Sequence, residues 1–230
     1  MNLAGEFFTR LTGDQQRALR AQAVVRRLPR GTKLYHQGDS VHEVFVVTQG
    51  CVKLTVVGPD GRGALVEVRG PDDLIGAADV FHGLERPMNA YALTRSTEVL
   101  ALNRRSFEEF VRSDSSFNAA VLHELAQRFR RTVPRQFELA VDDVHGRVLR
   151  RLHELVTRFG DVSDGGKAQL KSPITQQDLA DWAGVSRQAV VKELRQLRDD
   201  GLIQTRGSHF TFFDVKELEA RVRDLGAATL

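Results

Sequence analysis

The amino-acid sequence predicts an α+β chain: a run of short antiparallel strands closing into a barrel or sandwich, then one long helix, then a helix–turn–helix completed by a β-hairpin. Three observations carry this reading. Between Lys33 and Leu102 the apolar residues come in short clusters separated by turn residues; from about Phe117 to Val141 they recur every three or four positions; and from Ile174 to Phe213 two short helical patterns flank a glycine and run into a hairpin.

A helical stretch around Gly13 to Arg27 precedes the strands, and the pattern changes at Pro29. The β segments are Lys33 to Tyr35, Val44 to Thr48, Val52 to Val57, Ala64 to Val68 and Glu98 to Leu102, all rich in Val, Leu or aromatics. Gly38-Asp39, Gln49-Gly50, Pro59-Asp60-Gly61 and Gly70-Pro71-Asp72 supply the turns between them. A parallel sheet would need crossover helices, and the intervening segments are too short to hold them. Helical periodicity starts at Phe107 to Val111 and resumes in the long segment. There Leu122, Leu125, Phe129, Thr132 or Val133, Gln136 and Leu139 or Ala140 make a heptad-like stripe, which a second copy of the chain would cover. The alternative is a surface helix packed on its own barrel. Arg128, Arg130, Arg131 and Arg135 are expected on the solvated flanks. Pro134 removes an i to i−4 hydrogen bond, at about 3 kcal/mol, so a kink or break is expected there.

A further helix should bury Val144, Val148, Leu149, Leu152, Leu155, Val156 and Phe159 and end at Gly160; Asp161 to Lys167 reads as a loop, and Ala168 to Lys171 as a short strand before Ser172-Pro173. Next, Thr175 is placed to cap a helix with Asp178 in its first turn and Leu179, Ala180 and Ala183 on its buried side. Gly184 permits a left-handed turn. Ser186 caps a second helix whose Val190, Leu194 and Leu197 face inward, leaving Arg187, Gln188, Lys192 and Arg195 outward. Asp199-Asp200-Gly201 stops it, and Leu202 to Thr205 pairs with His209 to Phe213 around a tip of Arg206-Gly207-Ser208. Such a helix N-terminus in a major groove offers Arg187 to guanine and Gln188 to adenine, while Thr175, Gln177, Ser186, Lys192 and Arg206 meet the backbone of double-stranded DNA or neighbouring bases.

Composition narrows the function classes. Of the 230 residues 41% are hydrophobic and 27% charged, and no apolar run approaches the ~20 residues of a membrane span. The leader MNLAGEFFTR has no basic stretch followed by an apolar core, so a cytoplasmic protein is expected. Cys51 is the single cysteine, which excludes intrachain disulfides, cysteine-based zinc sites and four-thiolate clusters within one chain. The net charge is only +3, and from Asp142 onward four Lys and ten Arg balance ten Asp and four Glu, so DNA binding has to be argued from local placement. No phosphate-binding Walker loop, nucleophile elbow or His-Glu-x-x-His motif is present; no enzyme and no metal site is expected.

Gly38-Asp39, then Phe45-Val46-Val47, Gly50 and Val52-Lys53-Leu54, resembles the β-roll core of the cyclic-AMP receptor protein / fumarate–nitrate regulator (Crp/Fnr) superfamily of bacterial transcription regulators. Asp143-Val144-His145-Gly146-Arg147 resembles that family's hinge, and Ile174 through Arg187 its helix-turn-helix, so the resemblance covers nearly the whole chain. It implies a cyclic-nucleotide-binding-like β-roll over 1–112, a dimerisation helix over 113–141 and a winged helix-turn-helix DNA-binding domain over 142–230. The implied function is a homodimeric regulator of a near-palindromic DNA site, with RNA polymerase as a further partner; the alternative is a nucleotide-responsive module that regulates a partner protein. The effector pocket departs from the family pattern. Relatives that bind cyclic AMP carry a Gly-Glu pair, then Arg-Ser or Arg-Thr before Ala, with Glu on the ribose and Arg on the phosphate. Here the corresponding positions are Gly76-Ala77 and Met88-Asn89-Ala90, with Arg86 two residues upstream. Thr132 matches an adenine contact, but Val133 stands where a second hydroxyl is usual. The pocket therefore reads as degenerate, and the effector class left is a nucleotide other than cyclic AMP, or none.

Overall fold

The computed structural model describes residues 5–61, 63–83, 85–163, 165–171, 174–206 and 209–227. The chain divides into two compact units, Ala4–Thr132 and Val133–Leu230, each built around its own core.

The first unit opens with α1 (Phe7–Arg10) and α2 (Gly13–Gln22) and continues through β1 (Val24–Pro29), β2 (Lys33–Tyr35), β3 (Glu43–Gln49), β4 (Val52–Val57), β5 (Gly63–Arg69) and β6 (Leu74–Ile75). The short α3 (Ala77–His82) is followed by β7 (Asn89–Ala92), β8 (Ser96–Asn103), α4 (Arg104–Ser113) and the long α5 (Ser115–Val141). The strands form two antiparallel sheets, ordered β1-β8-β3-β6 and β2-β7-β4-β5. Strand alternation divides the core: Val44, Val46, Leu100 and Leu102 pack with Phe7, Leu19, Phe107, Phe117 and Val121 of the helices, while Phe45, Val47, Val99 and Ala101 pack with Val52, Leu54 and Ala90 of the other sheet.

Local rules explain both the agreements and the departures. Thr12 and Gln15 form a reciprocal capping box on α2, but the helix ends at Gln22, not near Arg27. Val24 to Arg27 instead belong to β1, in register with β8 from Val24↔Ala101 to Pro29↔Ser96. Sheet hydrogen bonds outweigh helical periodicity in this β-branched segment, and Pro29, lacking an N–H, falls at the strand end. β6 and β7 were likewise too short and too polar in their surroundings to stand out in the sequence.

α5 continues through Pro134, so of the expected kink or break the break does not occur. Both Pro134 and Arg130, whose carbonyl would have received the missing N–H, are exposed residues, on a surface where solvent is at hand for the orphaned group. The stripe is also shifted from expectation: Leu125 packs against the first unit's own core, whereas Leu122, Phe129, Val133, Phe137 and Leu139 are exposed. Of the four arginines expected on solvated flanks, only Arg130 is exposed; Arg128, Arg131 and Arg135 make ion pairs with Glu67, Glu124 and Glu154.

The second unit consists of the end of α5 with α6 (Val144–Phe159), β9 (Asp161–Val162), β10 (Ala168–Lys171), α7 (Gln176–Ala183), α8 (Arg187–Asp199), β11 (Ile203–Arg206), β12 (His209–Phe212) and α9 (Val215–Ala227). Its sheet runs β11-β12-β10-β9, so the stretch read as a loop contributes an edge strand. Val148, Leu149, Leu152, Leu155 and Val156 are buried on α6, while Val144 and Phe159 at its ends are only half-buried. α9, whose Leu218 is buried, packs on α6 and has no counterpart in the sequence reading. Ser172, Pro173, Gly207 and Ser208 lie outside the described residues.

Asp114 anchors the start of α5: its Oδ1 accepts from the Ser116 and Phe117 amides at 2.9 and 3.0 Å, and its Oδ2 accepts from Gln15 Nε2 at 2.7 Å. The Gln15 bond first, then the helix amides, hold the carboxyl down to about 2 from 3.8. A depressed pKa contributes stability in full above the unfolded value and loses it as pH falls through the folded one. Asp114→Asn should therefore be less stable than the wild type at neutral pH, and the gap should close between pH ~4 and ~2 in urea denaturation series.

Candidate nucleic-acid interface and effector pocket

The helix–turn–helix is fixed by reciprocal caps. Thr175 Oγ1 accepts from the Asp178 amide at 3.1 Å, and Asp178 Oδ2 accepts from the Thr175 amide at 2.9 Å. Gly184 takes φ +64°, a left-handed conformation that ends α7, and Ser186 Oγ accepts from the Ala189 amide at 3.1 Å to begin α8. Val190, Leu194 and Leu197 are buried, which turns Arg187, Gln188, Lys192 and Arg195 outward, all exposed. Gln188, Lys192 and Arg195 share one face at i, i+4 and i+7. Gln177 is exposed on the first turn of α7 and donates to Asp181 Oδ1 at 2.7 Å. Arg206 is exposed at the end of β11, paired with His209 across the hairpin. The polar groups named from the sequence thus lie at the start of α7, at the cap and along the exposed face of α8, and at the end of β11.

A clasp behind this surface was not visible in the sequence. Arg135 and Arg151 lie over the Trp182 ring, 5.6 and 5.5 Å from its centroid; Arg135 pairs with Glu154, and Arg151 with Glu138 and, at 3.0 Å, Glu154. These bonds bind the last turns of α5 to α6 and α7 within the second unit. His145 Nδ1 lies 2.7 Å from Glu193 Oε2, joining the first turn of α6 to α8.

In the first unit, Gly76 adopts φ +88° as it leads into α3, and a Cβ there would collide with the Arg86 guanidinium. Ala77 and Ala90 are buried, Met88 packs against the inner core, and Asn89 Oδ1 accepts from the Gln37 amide at 3.1 Å. Arg86 is only 3% exposed and lies 4.2 Å from the Tyr35 ring centroid. Its Nη1 donates to Asp79 Oδ2 at 3.0 Å and its Nη2 to the Glu43 carbonyl. It borders two clefts, of about 780 Å³ and 360 Å³. Thr132 spends its hydroxyl on the Arg128 carbonyl at 3.0 Å, and both Thr132 and Val133 are exposed on α5. Gly76 and Arg86 are therefore in contact, while Thr132 presents no free hydroxyl proton to a ligand.

A second arginine organises the interior. Arg69, fully buried on β5, pairs with Glu124 of α5 at 2.8 Å, Glu67 at 3.2 Å and Asp73 at 3.4 Å. Arg128 approaches Glu67 at 3.4 Å and Arg131 approaches Glu124 at 4.0 Å, giving three cations against three carboxylates. Burial pushes the Glu124 carboxyl up, against the pull of Arg69. A register shift between Leu54 and Thr55 of β4 takes up the extra residue in β5, leaving Val66 exposed and Glu67 buried, the reverse of what their polarity suggests. No His, Cys, Asp and Glu grouping among the described residues is arranged to hold a metal ion.

An antiparallel β-roll joined through a long helix to a winged helix-turn-helix defines a class of protein that carries a nucleotide-binding-type domain and a DNA-binding domain on one chain. Residues 25–114 match the cyclic nucleotide-binding domain and residues 146–221 the Crp-like helix-turn-helix domain. The chain is 29% identical over 195 residues to the CRP-like cAMP-activated global transcriptional regulator of Mycobacterium tuberculosis, covering 85% of this chain and 86% of that protein. It is 26% identical to the cAMP-activated global transcriptional regulator Vfr of Pseudomonas aeruginosa, covering 83% and 90%. Among solved structures it resembles FixK2 of Bradyrhizobium japonicum, with a TM-score of 0.77 at 21% identity over 86% of this chain and 96% of that one. The c-di-GMP-responsive regulator CLP of Xanthomonas campestris superposes with a TM-score of 0.71 at 25% identity, covering 87% and 98%. The chain belongs to the Crp/Fnr superfamily and is a DNA-binding transcription regulator of that type. Its family is one of transcription regulators, not enzymes, and no helix among the described residues is long and apolar enough to cross a membrane.

Two sets of substitutions test these assignments. Arg187→Ala should cost about 1–3 kcal/mol on the specific site and leave random DNA nearly unaffected, whereas Arg206→Ala should weaken all sequences alike and reduce the salt slope by about one. Mobility-shift titrations on both kinds of duplex separate the two. Arg69→Met leaves three buried carboxylates without their central cation and should destabilise the first unit by about 3–5 kcal/mol, read by urea denaturation.

Proposed function

We propose that this protein is a homodimeric transcription regulator that binds a near-palindromic DNA site through Arg187 and Gln188, without control by cyclic AMP. The functional regions are the β-roll over 1–112, the dimer helix over 113–141 and the winged helix-turn-helix over 142–230, acting in the cytoplasm with RNA polymerase as partner. The observation that carries the effector reading is the state of Arg86: both its Nη groups are engaged by Asp79 and the Glu43 carbonyl, and Ala77 offers no acceptor to a ribose hydroxyl. A buried polar group of the ligand left unpaired costs about 1–3 kcal/mol, enough to remove much of the affinity. Another nucleotide, or no effector, remains.

The dimer reading rests on α5, where Leu122, Phe129 and Phe137 are 59%, 71% and 59% exposed along one stripe with Val133 and Gln136. Apolar surface of this kind is stabilised by about 25 cal/mol for each Å² removed from water, and a second copy of the helix supplies the cover. Two symmetry-related α8 helices then meet half-sites about one DNA turn, ~34–36 Å, apart. Phe129→Glu should produce a monomer in sedimentation and lose specific DNA binding. Calorimetry of the wild type with cyclic AMP should show no submicromolar binding, while its DNA affinity without ligand should fall steeply with salt. A flat salt dependence would point instead to a module that regulates a partner protein.

A further inference from the structure

Arginine grips an oxyanion through a fork of two N–H groups, and either fork of a guanidinium includes at least one Nη nitrogen. In Arg86 both are engaged inside the chain, each through one of its two N–H groups, Nη1 on Asp79 Oδ2 at 3.0 Å and Nη2 on the Glu43 carbonyl. Nε alone has no hydrogen-bond partner, although the side chain is almost fully buried. The surroundings are shaped to this arrangement. Gly76 leaves the space that Nη1 occupies, Tyr35 lies beneath the guanidinium, and the Arg86 backbone is pinned by its N–H to Asp39 O at 2.8 Å and by its carbonyl to Gly38 N at 2.9 Å. Asp79 is held nearby on α3, its side chain 11% exposed. The Glu43 carboxylate is not the counter-ion, since it pairs with Arg26. Of the two clefts that reach Arg86, the larger is lined by Gln37, His42 and Arg104 and the smaller by Tyr35, His42 and Phe45.

We propose that Asp79 is a built-in counter-ion, occupying on Arg86 the place of an external phosphate oxyanion, so that Arg86, which borders both clefts, is an anion site that the chain itself keeps filled. This rests on the reading that cyclic AMP is not the switch, and it gives that reading a cause: a ligand phosphate has to displace a carboxylate already tethered beside the arginine. The ligand class the site would take, with Asp79 removed, is a phosphate mono- or diester small enough for the clefts.

The test uses full-length wild type, Asp79→Ala, the isosteric Asp79→Asn, and the double variant Asp79→Ala/Arg86→Met, with inorganic phosphate and cyclic AMP as probes. Thermal midpoints and calorimetric affinities are measured, with DNA binding followed in parallel. Both single variants should bind at least one probe tenfold or more tighter than the wild type and be raised in midpoint by it, and the double variant should lose that gain. If Asp79→Ala does not fold, Asp79→Asn carries the same comparison. The assignment is overturned if the foldable single variant binds neither probe more tightly than the wild type, or if the double variant keeps the gain. Wild-type DNA binding that requires cyclic AMP would overturn the functional reading as well; ligand-independent DNA binding with no gain in the variants overturns the role of Asp79 alone.

Discussion

The constraint on which the first unit depends is the burial of Arg69. A guanidinium with no access to water is tolerable only if counter-charges surround it, and three carboxylates do so. One of them, Glu124, comes from α5, so the neutralisation of a strand residue also fixes where that helix lies on the β-roll. Arg128 and Arg131 extend the balance along the same helix face. Leu122 and Phe129 are left outward as a consequence, because Glu124, Leu125 and Arg128 between them are turned to the interior. The stripe available to a second copy is defined by the charges that point the other way.

The second unit uses the same chemistry differently. Arg135 and Glu138 at the end of α5 are held by Arg151 and Glu154 of α6, with Trp182 of α7 beneath the two guanidinium groups. The end of α5 is thus joined by ion pairs to α6 and through the Trp182 ring to α7. Position on α8 is set separately, by the Ser186 cap and by Val190, Leu194 and Leu197, which leave no rotational freedom in which face meets solvent. Arginine serves as internal strut in one set of positions and stands exposed on α8 in another, and burial decides which.

The helix–turn–helix and its outward face were legible in the sequence almost completely. Its logic is local: Thr175 with Asp178, the left-handed Gly184, and Ser186 act within a turn of helix, and the spacing of Val190, Leu194 and Leu197 dictates the opposite face. The β-strands with strong alternation were legible for the same reason. The segment Val24 to Arg27 was misread as helix because its strand character comes from β8, more than seventy residues away in the chain, and α9 went unread because its amphipathic pattern follows the hairpin without a strong start signal. Pro134 was expected to kink or break α5; the helix does not break there, and Pro134 and Arg130 both lie exposed to solvent, where a missing hydrogen bond is tolerable.

What the sequence by itself determined is the order of elements, the helix–turn–helix with its outward Arg187, Gln188, Lys192 and Arg195, and the absence of an acceptor at Ala77. These follow from residue type and from interactions three or four positions apart. Only the tertiary structure decided what the charged residues do. Arg69 meets Glu124 across fifty-five positions and Arg86 meets the Glu43 carbonyl across forty-three. In sequence such residues look like solvated charges; folding removes the water from around them, and each must then find its partner wherever the chain has brought one.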